Sequence, residues 1–333
     1  MVLQRPFSAP PFSITAAALN RERAFMPLDT DIAALLNQNR DRAPPAGIQG
    51  LRDMLELSAK MLPRRSTTTQ VPATVRIPSP SGGLEARIYR PANVTRPPLT
   101  VFFHGGGYSA GSLDTHDAAC AELAQSAQTA VLSVAYRLAP EHAFPAWAED
   151  AHTAVAWATA QSDVLGVADG KLAIAGDSAG ANLAIAAARR SVESDQNALQ
   201  ALLLFYPPTD HISDVYGSRK DNAVGFGLTE AARQMLVGLY APTAEIRAHP
   251  EISPIFADDL GRLPPTLIVT AEFDILRDEG LRFAKMLAAA GTRVDSWTAQ
   301  GMVHGFINYT GASPAAGTYL DRAGAWLGEQ FKT

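Results

Sequence analysis

The sequence predicts an α/β fold, with a mostly parallel central sheet flanked by helices. Two observations carry this. From Leu99 onward, short apolar runs of buried-strand type alternate with longer stretches of helical spacing. Such alternation is what repeated strand–helix–strand units write into a chain, and their helices cover both faces of the sheet. The second observation is that glycine clusters at 105–107 and 176–180 sit directly after apolar runs, where a strand must give way to a tight turn. With 333 residues, 47% hydrophobic and 18% charged, the chain is globular rather than disordered.

Taken in order, residues 1 to about 25 are rich in Pro and Ala and are expected to be extended or poorly ordered. Residues 27–62 contain helical pieces at Asp31–Leu36 and Ile48–Met61. Thr74–Ile77 and Glu85–Tyr89 read as paired strands joined through Ser81-Gly82-Gly83. The alternating part then predicts strands near 99–103, 130–134, 171–175, 201–205, 266–270 and 293–298. Helices are expected near 115–127, 145–160, 179–191, 279–290 and 315–331. Residues 207–250 interrupt the alternation and contain one helix, from about Thr229, a plausible N-cap residue, to Leu239.

Four places in this frame carry chemistry. Ser178 lies in Gly176-Asp177-Ser178-Ala179-Gly180, between the run Leu172–Ala175 and an Ala- and Leu-rich helix. This is a G-x-S-x-G nucleophile elbow in its structural context. Its turn strains the serine backbone and lifts the hydroxyl above the sheet. Its glycines permit close approach of strand and helix, and the helix N-terminus faces developing negative charge. His104-Gly105-Gly106-Gly107 follows the strand Leu99–Phe103. Glycines there bare backbone N–H groups of the kind that hold an oxyanion, together with the N–H of Ala179 after the nucleophile. His104 is read as ordering this loop by side-chain hydrogen bonding, with Gly105 beside it.

Of seven histidines, only His211, His249 and His304 follow Ser178. The order Ser, acid, His along the chain requires the base to be one of them. His304 stands on a glycine-flanked loop beyond a late strand, where a mobile, exposed imidazole is expected. His211 and His249 read as surface residues. The acid is Asp274, at the carboxyl end of the run Pro265–Thr270, where active-site groups of open α/β sheets gather. Glu272 is the alternative acid, and Asp278 reads as a first-turn helix acid.

With these stretches in place, the chain resembles the hormone-sensitive-lipase-like esterases, the bacterial family often called family IV, in its GDSAG branch. The matching segments also include Gly111–Asp117, Tyr136–His142, Phe273–Glu279 and His304-Gly305-Phe306, and they span roughly residues 70 to 330. Ala181 departs from the family pattern, inside the helix after the nucleophile. The resemblance implies an α/β-hydrolase fold with a helical cap. It implies a Ser178–Asp274–His304 triad and an oxyanion hole from the amides of Gly106, Gly107 and Ala179. It also implies a carboxylesterase acting on short- to medium-chain acyl esters without a cofactor, and suggests a homodimer. An amidase or formamidase, or a non-catalytic ligand-binding receptor on the same scaffold, are the alternatives.

On this reading residues 1–65 supply the N-terminal segment and part of the cap, 207–250 the cap insertion, and 66–206 with 251–333 the catalytic core. Candidate substrate-pocket residues are Tyr108, Asp177, Tyr206, Phe226 and Leu228. Met235, Leu236 and Tyr240 either line the pocket or pack the cap on the core. Net charge is −5 with no basic stripe, so nucleic acid is not an expected partner. Cys120, the single cysteine, excludes an internal disulfide and any CxxC metal site, and reads as a buried structural thiol. No apolar run is long enough for a membrane span, and the N-terminus lacks a secretory pattern, so a cytoplasmic location is expected.

Overall fold

The computed structural model describes residues 27–38, 45–193 and 199–332. The expectation for residues 1 to about 25 lies outside them. Eight strands form one sheet: β1 (Ala73–Ile77), β2 (Leu84–Tyr89), β3 (Leu99–Phe103), β4 (Ala130–Val134), β5 (Leu172–Asp177), β6 (Leu199–Phe205), β7 (Thr266–Phe273) and β8 (Val294–Val303). Their spatial order is β1-β2-β4-β3-β5-β6-β7-β8. The hairpin β1–β2 is antiparallel and joins β4 antiparallel. All strands from β4 to β8 run parallel. Parallel strands need crossover connections, which is why helices separate them in the chain.

The continuous apolar runs are explained by helices on both faces. Helices α4 (Ala146–Ala160), α6 (Ala179–Glu193) and α10 (Arg277–Ala289) cover one face; α3 (Asp117–Ala127) and α11 (Pro314–Gln330) cover the other. Successive strand residues point to opposite faces. Val101, Phe103, Ile174, Leu202 and Leu204 pack with Trp147, Leu183 and Phe283. Phe102, Ala173, Ala175, Leu203 and Phe205 pack with Cys120, Leu123, Leu320 and Leu327. The Cys120 thiol is fully buried, and burial pushes its pKa up, which leaves it an inert packing group.

Several boundaries differ from expectation. β7 runs on to Phe273 and β8 to Val303. The Ala299-Gln300-Gly301 stretch breaks the apolar pattern, but pairing with β7, through a register shift near Ala271, carries the strand past it. Local pattern yields here to the ladder.

The remaining helices stand outside the alternation: α1 (Thr30–Gln38) and α2 (Gly47–Met61) before the sheet, the short α5 (Ser162–Leu165) before β5, and α7 (Gly217–Asp221), α8 (Glu230–Tyr240) and α9 (Ala244–Arg247) between β6 and β7. Thr229 caps α8 by accepting from the Ala232 N–H at 3.1 Å. A buried pair ties this insertion to the core. The Arg219 guanidinium donates to Glu279 Oε2 at 2.6 Å, and Glu279 Oε1 accepts the Thr209 N–H at 2.8 Å. No helix among the described residues is long and apolar enough to cross a membrane.

Candidate active site

Ser178 occupies the turn between β5 and α6 with φ at 52°, a left-handed conformation that costs a non-glycine residue free energy. The Ser178 N–H donates to the Phe205 carbonyl at 2.9 Å, so β6 helps hold the strained residue in place. A Cβ at Gly180 would collide with the Phe103 carbonyl. Only glycine lets α6 start this close to β3.

The ends of β7 and β8 bring two further groups to this serine. His304 Nε2 lies 2.8 Å from Ser178 Oγ, and His304 Nδ1 lies 2.8 Å from Asp274 Oδ2. The carboxylate accepts from Nδ1–H, which leaves Nε2 to accept the serine proton. Asp274 is itself fixed, its Oδ1 accepting the Leu276 N–H at 2.9 Å. Because β8 extends to Val303, His304 directly follows a strand, and its side chain is only 11% exposed rather than mobile and exposed. The Tyr206 ring packs against the imidazole at 4.6 Å. Glu272 points elsewhere and accepts the Gly301 N–H at 2.7 Å. Asp278 accepts the Ser218 N–H at 2.8 Å and stays outside the array.

The glycine loop faces the serine from β3. Burial, reinforced by the neighbouring His116, lowers the His104 pKa to about 4, so the ring is neutral. Its Nδ1–H donates to the Gly105 carbonyl at 2.8 Å, and the Tyr136 hydroxyl donates to the His104 carbonyl at 2.7 Å. The Gly105 N–H donates to Asp177 Oδ1 at 2.7 Å. Gly106 has φ at 125°, and a Cβ there would collide with the Ala110 carbonyl. Among the described residues, the N–H groups of Gly106, Gly107 and Ala179 donate to no protein acceptor. Three bare donors beside a serine hydroxyl are what an oxyanion requires.

Ser178, His304, Gly106 and Gly107 open onto a cavity of about 910 Å³. Its apolar wall comes from Leu51, Met54 and Leu55 on α2 and from Leu228 and Leu236 in the insertion. Of the residues expected to line it, Asp177, Leu228 and Leu236 do so, and Asp177 only from below. Tyr108 does not: it is buried against Trp147 and Tyr240 behind the loop. Tyr206 lies under His304, Phe226 stacks on Phe273 at 5.0 Å, Tyr240 is core, and Met235 faces outward. Large aromatics near a site in the chain thus went to packing. His211 is also buried rather than on the surface, with the Tyr240 hydroxyl 3.1 Å from Nδ1; His249 is exposed. Two contributions went unread in the sequence: the wall from α2, and His116 beneath the loop. The amphipathic spacing of Leu51, Met54 and Leu55 was the available signal for the first.

The family described as alpha/beta hydrolase fold matches residues 100–308. The chain belongs to it. Among curated relatives, it is 42% identical to the carboxylic ester hydrolase LipN of Mycobacterium tuberculosis, over 73% of this chain and 66% of LipN. To the esterase LipI of the same organism it is 37% identical, over 81% of this chain and 84% of LipI. Among solved structures, the hyperthermophilic esterase of the archaeon Pyrobaculum calidifontis superposes with a TM-score of 0.84 at 34% identity, covering 91% of this chain and 99% of that one. A thermostable esterase from Pseudomonas putida gives 0.86 at 29%, covering 92% and 98%. This hydrolase therefore shares its family and its architecture with named esterases.

Proposed function

We propose that this ester hydrolase is a carboxylesterase of short- to medium-chain acyl esters, working through a Ser178–His304–Asp274 triad and an acyl-enzyme intermediate. The observation that carries the reading is the unbroken line Asp274–His304–Ser178, two contacts of 2.8 Å, ending beside three unpartnered N–H groups at the floor of an apolar cavity.

The chemistry follows from the geometry. His304 Nε2 takes the Ser178 proton as Oγ attacks the ester carbonyl carbon. The carbonyl oxygen becomes an oxyanion, held by the amides of Gly106, Gly107 and Ala179. Asp274 keeps His304 in the right tautomer and stabilises the imidazolium. The tetrahedral intermediate collapses, His304 returns the proton to the leaving alkoxide, and the acyl group stays on Ser178. Water then gives a proton to His304 and attacks the acyl carbon; the second tetrahedral intermediate breaks its bond to Ser178 Oγ, which takes the proton back from His304, and the acid leaves.

The cavity lies within the roughly 300–1,000 Å³ range usual for small-molecule sites. Helices α1 and α2 and the insertion between β6 and β7 act as its cap, limiting water and receiving the acyl chain. Amides would use the same groups; the ester names of the relatives support the ester reading. The test is hydrolysis of p-nitrophenyl esters from C2 to C16, with Ser178→Ala as control. Activity greatest on short chains and absent in the variant supports the proposal. No ester turnover by the parent enzyme overturns it in favour of amide substrates or a binding role.

A further inference from the structure

Beneath the oxyanion loop lies a pair that the mechanism does not use. His116 is 4% exposed and Asp177 is 2% exposed. His116 Nε2 is 3.1 Å from Asp177 Oδ1. The same carboxylate oxygen accepts the Gly105 N–H at 2.7 Å, and its partner oxygen accepts the Tyr206 hydroxyl at 3.3 Å. Asp177 also precedes Ser178 in the nucleophile turn. One side chain thus touches the first glycine of the oxyanion loop and stands next to the nucleophile.

The proton placement on His116 follows from its neighbours. Thr115 Oγ1 has a single proton; it lies 2.9 Å from the Ser112 carbonyl and accepts the Ser112 N–H at 2.8 Å. His116 Nδ1 lies 2.8 Å from that oxygen. The rotatable hydroxyl proton serves either the Ser112 carbonyl or Nδ1, so this contact accommodates a ring nitrogen that donates or accepts, and the proton of the ring is fixed from the other side. At the other nitrogen, a bare lone pair 3.1 Å from a carboxylate oxygen is repulsive. The Gly105 N–H and the Asn308 carboxamide approach Nε2 only at 3.4 Å each, too far to compete.

We infer that His116 is a positioning residue for the oxyanion loop: its Nε2–H donates to Asp177 Oδ1, and this contact fixes the carboxylate that holds Gly105 in register with the nucleophile turn. The other arrangement, a neutral Asp177 donating to Nε2, is disfavoured by the carboxyl itself. Burial pushes the Asp177 pKa up, but the facing His116 and the Gly105 amide outweigh it and hold the group below the ordinary carboxylate value. Asp177 faces Nε2, the neutral His104 ring centre is 5.6 Å from that of His116, and Tyr206 donates to the far carboxylate oxygen.

The positioning half of this inference rests on the ester-hydrolase reading; the proton on Nε2 does not. Nitrogen NMR of histidine-labelled enzyme at pH 7.5 reads that proton directly, with His116→Gln identifying the signal by its loss. A protonated Nε2 on His116 is the expected result, and an unprotonated Nε2 overturns the inference. On p-nitrophenyl acetate, His116→Gln should lower kcat by about ten- to a hundredfold, the scale of a small misplacement of catalytic groups, with KM changed less than about twofold. A folded variant with unchanged kcat refutes the positioning role. Should the parent enzyme be inert on esters, the nitrogen signature still decides whether Nε2 donates to Asp177.

Discussion

Arg52 on α2 grips the oxyanion loop at Ser109. Its Nε donates to the Ser109 carbonyl at 2.8 Å, while its two terminal nitrogens reach Glu141 at 2.8 and 2.7 Å and the Ala139 carbonyl at 3.0 Å. One turn along α2, Glu56 accepts the Ser112 hydroxyl at 2.5 Å. The helix that walls the cavity therefore also holds the loop proposed to donate to the oxyanion. Replacing the fork with an uncharged stem of similar length, Arg52→Met, should lower kcat/KM by about tenfold through loop misplacement. Arg52→Lys should recover little, since an ammonium cannot reproduce the planar fork. Steady-state kinetics on one short ester decides it, and full recovery by Lys would show that charge alone matters.

The two neighbouring aspartates should separate cleanly. Asp274→Asn removes the acceptor that fixes the His304 tautomer, and in well-studied triads such a change costs about 10⁴ in kcat. Asp278→Asn alters contacts to the Ser218 N–H and to Arg277 Nε, away from Ser178 and His304, and should cost less than about tenfold. The reverse order in measured kcat would move the acid to Asp278.

Gly106→Ala should remove activity without a comparable loss of binding. The new Cβ would press on the Ala110 carbonyl, and φ at 125° is closed to alanine, so the loop must shift. Loss of an oxyanion donor costs about 10²–10³ in kcat. Near-normal kcat in the folded variant would place the donors elsewhere.

Leu55→Trp, on the α2 wall, should shorten the accepted acyl chain by several carbons while leaving acetate turnover within about threefold. A chain-length series on the variant reads this directly. An unchanged profile would assign the acyl group to another part of the cavity.

Stability should fall as the solution is acidified from neutrality. Burial lowers the pKa of His104 to about 4 and that of His211 to about 3, against about 6.5 in the unfolded chain. Both are neutral in the fold, and unfolding lets them bind protons. Their contribution is complete above pH 6.5 and is lost as pH drops toward 4, at up to about 1.4 kcal/mol per pH unit for each histidine. Buried Glu279, whose carboxyl is held high by burial, acts in the opposite sense and softens the slope. Urea unfolding between pH 7 and pH 4.5 should give a shallower pH dependence for His211→Gln than for the parent. Equal slopes would mean that His211 is solvated.

The chain spells out its backbone more readily than its side-chain neighbourhoods. The parallel strands and their helices were legible because runs such as Leu99–Phe103 and Thr266–Thr270 hold only apolar residues and threonine, with no polar alternation, as a sheet covered on both faces demands. Ser178 and Asp274 were candidates because each comes shortly after such a run, and His304 because it follows both in the chain on a glycine-flanked loop. Tyr108, Tyr206 and Phe226 were misread as pocket residues because nearness in sequence to a loop does not say which side of it a ring will occupy. His211 was misread because a polar stretch of chain can still be buried when a partner such as the Tyr240 hydroxyl awaits it. The role of His116 depends on Asp177, sixty-one positions away, and no local pattern carries that.

Ser178 and His304 meet across 126 positions of chain, and α11 covers the second face of the sheet beside α3. During synthesis, the strand with the serine leaves the ribosome long before the histidine does. A nascent chain halted short of β8 would hold a strained turn and a glycine loop with no base to use them, and a sheet face of Phe102, Leu203 and Phe205 still open to water. The Ser178–His304 contact thus forms only after β8 has been made, and until α11 follows the greasy underside awaiting it is the surface by which such an intermediate would be held by chaperones or lost to aggregation.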